Sequence, residues 1–196
     1  MAWAKNGTPD TLGSAGDTLS ISDLTAKIFN FILEHTICSS TVTPQVRVGS
    51  SSLDSGTNYA NRYSTNGGTD ATGTSDSKIE MNLGGATTTY FDIIYGINIS
   101  AEEKLFIGFA IYQGTAGATF APPRREFVSK WANSNQFDNV GDINGGAGDF
   151  DTGSNLSVLT GDETETVTLQ DGTIFEETDT NKAYIWSSSS KTWTQL

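Results

Sequence analysis

Apolar and polar residues alternate most regularly from Tyr90 to Gly114, YFDIIYGINISAEEKLFIGFAIYQG. Phe91, Ile93, Tyr95, Ile97 and Ile99 take every second position. After Ala101-Glu102-Glu103 the beat resumes with Leu105, Ile107, Phe109 and Ile111. A period of two sends successive side chains to opposite faces of a strand. The short polar step between the runs predicts a turn, hence a long antiparallel hairpin. Its apolar face is expected to lie under a second sheet, because such a hairpin is not stable alone.

The flanking segments extend this reading. Thr18-Leu19-Ser20-Ile21 alternates and predicts a short strand. Residues 24–38, LTAKIFNFILEHTIC, fit a helical face through Leu24, Ile28, Phe31, Ile32 and His35. They also fit a strand face through Phe29, Phe31, Leu33, His35 and Ile37, and the β-branched and aromatic content favours the strand. Val42, Val46 and Val48 alternate around Pro44, which predicts an edge strand or a bulge. Residues 49–77 read as a long polar loop whose only large side chains are Tyr59 and Tyr63. Ile79, Met81 and Leu83 mark the next strand. Glu126 to Trp131 marks another, with Phe127, Ser129 and Trp131 on one side. Phe137 and Val140 suit a shorter strand, and Leu156 and Val158 close the series.

Strands joined by turns with no helical interlude predict an all-β fold. Residues 1–161 are expected to form an antiparallel, jelly-roll-like two-sheet sandwich. At Asp162 the composition becomes acidic and then alternates through several short segments. Residues 162–196 are expected to form a small C-terminal β-meander, with Asp171-Gly172 as one of its turns. That unit is too small to bury its tryptophans alone. Tyr184, Trp186 and Trp193 are therefore candidate contacts with a partner or a neighbouring copy.

Composition narrows the function. The chain has 196 residues, 36% of them hydrophobic and 10% aromatic, which supports a core and argues against disorder throughout. A formal charge of −12 disfavours nucleic acid as a partner and suits a protein displayed at high local density. The single cysteine, Cys38, excludes an internal disulfide and reads as a small buried hydrophobe. The start, MAWAKNGTPD, lacks a basic segment followed by an apolar one, and no apolar run approaches the ~20 residues that span a bilayer. Synthesis in a cytoplasm is expected, with no membrane partner.

Candidate chemistry is sparse. His35 is the sole histidine, has only Glu34 beside it, and reads as a core residue rather than a catalytic one. No catalytic set is expected. Asp138, Asp142, Asn144, Asp149 and Asp151 form an oxygen-rich stretch, but their spacing does not match the calcium loop that ends in a bidentate glutamate; turn chemistry accounts for them, and no metal is expected. Gly67-Gly68 and Gly84-Gly85 lack the lysine or helix of a phosphate loop, so no cofactor is expected. In the 49–77 segment, Asp54, Asn58, Tyr59, Arg62 and Tyr63 have the side chains of a sugar-contacting surface. Tyr59, Arg62 and Tyr63 are the candidate ligand contacts there; an ordinary loop tucked over the sandwich edge is the alternative.

The order of TLSISDLTAKIFNFIL, RVGSSSLDSGTNYANRYSTNGG, YGINISAEEKLFIGFAI, APPRREFVSKWAN and GAGDFDTGSNLSVL resembles a family of β-sandwich proteins of tailed viruses of bacteria and archaea. The terminal GTIFEETDTNKAYIWSSSSKTWTQL resembles a short module at the ends of many virion structural proteins. This resemblance implies a non-enzymatic virion component: a capsid decoration protein, head fibre, turret or tail appendage. It also implies localisation to the virion, other virion proteins as partners, and a symmetric homo-oligomer, with a trimer expected. The alternative is a carbohydrate-binding module that attaches the particle to a host-surface glycan through Tyr59, Arg62 and Tyr63.

Overall fold

A computed structural model describes residues 3–38, 40–81, 89–161, 171–177, 182–187, 189–190 and 192–196. The first strands are β1 (Ala4–Lys5), β2 (Asp10–Thr11), β3 (Thr18–Ile21), β4 (Phe29–Ile37), β5 (Val46–Gly49), β6 (Tyr59–Thr65) and β7 (Ala71–Asp76). The long hairpin is β8 (Thr89–Ile97) and β9 (Lys104–Tyr112), followed by β10 (Arg124–Trp131), β11 (Asn139–Ile143) and β12 (Asn155–Gly161). The last three strands are β13 (Ile174–Glu177), β14 (Lys182–Ser187) and β15 (Thr192–Gln195). Among the described residues none is helical.

The chain divides into two compact units, Trp3–Glu163 and Thr164–Leu196. In the first, a large antiparallel sheet runs β1-β12-β4-β8-β9-β10-β6-β7, with β2 also paired to β12. A small sheet, β3-β11-β5, forms the second layer. Leu19, Ile21, Val46, Val48 and Val140 of the small sheet meet Ile32, Ile94, Phe106, Phe127 and Trp131 of the large one in a single buried core. The fold is thus an all-β, two-layer antiparallel sandwich of unequal layers. In the second unit β13-β14-β15 is a three-stranded antiparallel meander.

Strand wins over helix at β4 because the segment is paired on both sides, to β12 and to β8. Pro44 lies just before β5, and β5 is an edge of the small sheet, where a missing N–H is tolerated. The polar stretch 49–77 corrects the loop expectation: it contains the hairpin β6–β7. Asn61 explains why no apolar pattern marks it. This residue is buried, donates to Asp76 Oδ2 (2.7 Å) and the Lys78 carbonyl (3.1 Å), and accepts from Glu80 N (3.1 Å) and Ser129 Oγ (2.5 Å). A buried polar side chain so fully paired is tolerated in a core. Of the strand expected at Ile79–Leu83, Ile79 forms a single bridge to Val46, Met81 is buried, and Leu83 lies outside the described residues.

The hairpin corrects the largest expectation. The second layer covers the opposite register from the one that alternation marks. Tyr90, Asp92, Ile94, Gly96, Lys104, Phe106, Gly108 and Ala110 point inward. Gly96 lies directly across from Phe106, and Gly108 from Phe127. A Cβ on Gly96 would stand 2.8 Å from the Phe106 ring, and one on Gly108 would meet the Phe127 ring closer still. Glycine opposite a ring leaves the space that lets the ring lie flat on the inner surface. Lys104 is also inside, its ammonium held by the carbonyls of Glu102, Asn133 and Ser134.

Two side chains tie the layers together. Tyr59, buried on β6, donates its hydroxyl to the Val48 carbonyl (2.8 Å) and accepts from Val48 N (3.1 Å) on β5. Trp131 Nε1 donates to Asp54 Oδ2 (2.7 Å). Tyr59→Phe leaves the buried Val48 N–H without its acceptor, and a loss of about 1–3 kcal/mol is expected in urea unfolding. A change under ~0.5 kcal/mol would show that the bond adds nothing net.

Candidate functional site

The outer face of the large sheet carries what alternation placed in the core. On β9, Leu105, Ile107, Phe109 and Ile111 are 56%, 56%, 50% and 38% exposed. On β8, Phe91 and Tyr95 are exposed and Ile93 and Ile97 half-buried; on β4, Phe29, Phe31, Leu33 and Ile37 are half-buried. Cross-strand partners join these into one ladder: Phe31 faces Tyr95, Leu33 faces Ile93, Ile93 faces Phe109, and Ile107 lies between Tyr95 and Val128. Phe31 stacks on Tyr95 with ring centroids 4.6 Å apart, and Trp3 closes on Phe31 at 5.9 Å. Shallow grooves open on the same face, one among Trp3, Tyr95, Leu105 and Ile107, another among Arg62, Asp70, Phe109 and Val128.

The charges around this face are distributed unevenly. Strands β4, β8 and β9 carry two carboxylates, Glu34 and Asp92, and both point inward. On the β10–β6 flank the ion pairs are Arg62–Asp70 (3.5 Å), Arg124–Glu126 (3.5 Å) and Lys130–Glu103 (2.7 Å). These pairs are solvent-exposed and mutually neutralising, so each contributes little stability. A chain of net charge −12 thus keeps the middle of this face free of negative charge.

Beneath it lies the opposite arrangement. Glu34 and Asp92 sit directly opposite each other on β4 and β8, and Asp142 on β11 reaches the same interior. Both Glu34 oxygens, both Asp92 oxygens and Asp142 Oδ2 meet no donor; Asp142 Oδ1 accepts from Gln45 N. Burial, then the negative charge of Asp142, pushes the Glu34 carboxyl well above the usual range. Burial, then the same charge, raises Asp92. Asp142 is raised by burial, against the pull of the Gln45 and Ile143 amides and the Arg47 charge. Like charges enclosed this close together cannot all ionise cheaply, so the fold favours the protonated forms of the cluster. The cluster is enclosed, so no substrate reaches it, and among the described residues no group of three or more His, Cys, Asp or Glu is placed to hold a metal.

The predicted site residues divide. Tyr59 is in the core, which corrects its reading as a sugar contact. Tyr63 is half-buried on the same inner side of β6, with the Arg125 guanidinium 4.2 Å above its ring. Arg62 points the other way, to the outer face beside Asp70. Arg62 and Tyr63 both line the groove beside Asp70 and Phe109, and Tyr59 is shut away from it in the core. Tyr184, Trp186 and Trp193 do come together: Trp186 faces Trp193 across β14–β15, centroids 5.4 Å apart, and Phe175 joins them at 6.4 Å from Tyr184 and 6.2 Å from Trp193. His35 corrects its core reading, being exposed on the outer face of β4 opposite Phe91. Cys38 is buried and free, and burial pushes its thiol up to about 11, so it is chemically quiet. Asp138 accepts from Ser51 N (2.7 Å), and Asn144 accepts from Thr43 N (3.0 Å) and Gly146 N (2.7 Å), so these oxygens serve the local backbone.

Comparison with known proteins finds no matching family model, no matching curated protein and no matching solved structure.

Proposed function

We propose that this chain is a non-enzymatic structural component of a larger assembly, of the virion type, and that it docks through the outer face of its large sheet. One observation carries the proposal: the most regular apolar register of the sequence faces solvent rather than the core. Apolar patches beyond about 300–600 Å² on a single chain mark interaction sites. The clustered carboxylates add support, because they are enclosed in the core rather than offered to a substrate. The virion setting, as capsid decoration, fibre, turret or tail appendage, is supported by the segment order and terminal module described above. The glycan-attachment alternative loses one of its three contacts, since Tyr59 is buried, while Arg62 and Tyr63 line one groove.

Electron microscopy of particles that incorporate the chain is the test. Density for the sandwich is expected at a regular lattice position, with β4, β8 and β9 turned towards a neighbouring subunit. Hydrolytic or transfer activity of the isolated chain, or density in which those strands face open solvent, would overturn the proposal.

A further inference from the structure

We infer that the occupant of the outer face is a second copy of this chain, packed sheet to sheet about a twofold axis near the Ile93–Phe109 pair; this rests on the docking role proposed above. Area supports it. Strands β12, β4, β8, β9, β10 and β6 average about eight residues, and at ~4.8 Å between strands and ~3.3 Å per residue they offer roughly 750 Å². A standard stable interface takes about 800 Å² from each partner.

Charge supports the same occupant. Two copies at −12 each repel overall, so a face that meets its own copy must keep negative charge away from the twofold axis, where each residue lies near its own mate. The face avoids this where it matters, because β4, β8 and β9 present no carboxylate outward. Charged side chains lie on the β10–β6 flank, where Arg62, Arg124 and Lys130 are already matched by Asp70, Glu126 and Glu103. Ile93 and Phe109, a cross-strand pair of neighbouring strands, mark the middle of the apolar ladder. Two sheets stacked this way lie about 10 Å apart with side chains interdigitated, the spacing of an ordinary sandwich core. A face that meets itself joins copies in twos, so this inference replaces the expected trimer with a dimer.

Sedimentation equilibrium of the full chain at micromolar concentration tests it. The expected mass is twice the 20.9 kDa of one chain. An Ile107→Arg chain is expected to sediment as a single chain with an unchanged circular-dichroism spectrum. Phe120→Ser, at an exposed residue outside the large sheet, is expected to leave the pair intact. Should Ile107→Arg fail to fold, Ile93→Cys decides. Cys38 is the only native cysteine and is buried. Oxidation of Ile93→Cys should therefore give a disulfide-linked pair, and Ser20→Cys, on the small sheet, none. A single-chain or trimeric mass for the native protein, or a pair that survives Ile107→Arg, overturns the second copy as occupant. The docking role is judged separately: it stands if Ile107→Arg blocks particle incorporation, and falls if incorporation is unaffected.

Discussion

Stability of the sandwich falls as pH rises above the ordinary carboxylate range, by up to ~1.4 kcal/mol per pH unit for each proton the folded chain holds in excess of the unfolded one. The sign follows from the direction of three shifts. Glu34, Asp92 and Asp142 are all raised in the folded state, by burial first. An acid raised on folding binds its proton more tightly in the folded chain, so its contribution is complete below the ordinary carboxylate range. That contribution is lost as pH climbs through the raised values. Most proteins lose stability towards acid because their carboxylates are paired with cations; this core behaves oppositely because its carboxyls face one another. Thermal unfolding across the pH series measures it. Asp92→Asn removes one charge that opposes Glu34, and is expected to flatten the slope and raise the melting temperature at the alkaline end by several degrees. Stability that increases with pH, or an Asp92→Asn slope equal to the native one, would refute the raised-carboxyl core.

The second large effect separates two neighbours on one strand. Phe106→Ala should destabilise the sandwich by about 3–5 kcal/mol in urea. Phe106 is fully buried, covers Gly96 and packs on Phe137 with centroids 5.9 Å apart. Phe109→Ser should change the stability of dilute, unassociated chains by no more than ~0.5 kcal/mol, because half of that side chain is already in water. Equal losses at the two positions would mean that both faces of β9 are covered within one chain.

Strand positions were legible in the sequence because alternation is local. The hairpin of β8 and β9, the short β3, and the strand at β10 all sit where the period of two puts them. The buried side of the hairpin was not legible, because its inner register is disguised. Gly96, Gly108 and Ala110 look like weak core residues until the rings of Phe106 and Phe127 are laid over the two glycines from across the strands. Asp92 and Lys104 look like surface residues, and only tertiary contact shows a carboxyl cluster around one and three carbonyls around the other. For the same reason Asp142, in an oxygen-rich stretch that reads as turn chemistry, proves to be a core acid on β11. Hairpin β6–β7 was hidden because Asn61, not an aliphatic residue, holds its inner face. Of the candidate contacts, the aromatic group in the terminal unit was legible because β14 and β15 alternate cleanly. Tyr59 was misread because its hydroxyl partner, Val48, is on another layer.

Thiol labelling of an Ile107→Cys chain, followed as protein concentration is raised, reports most directly on whether this face is open alone and closed on assembly. Cys38 contributes no background, being buried. Rapid modification in dilute solution, slowing towards a plateau as the chain is concentrated, is the predicted outcome. Slow modification at every dilution would place residue 107 inside the single chain, and rapid modification at every concentration would leave the aromatic wall without a mate; either contradicts the account.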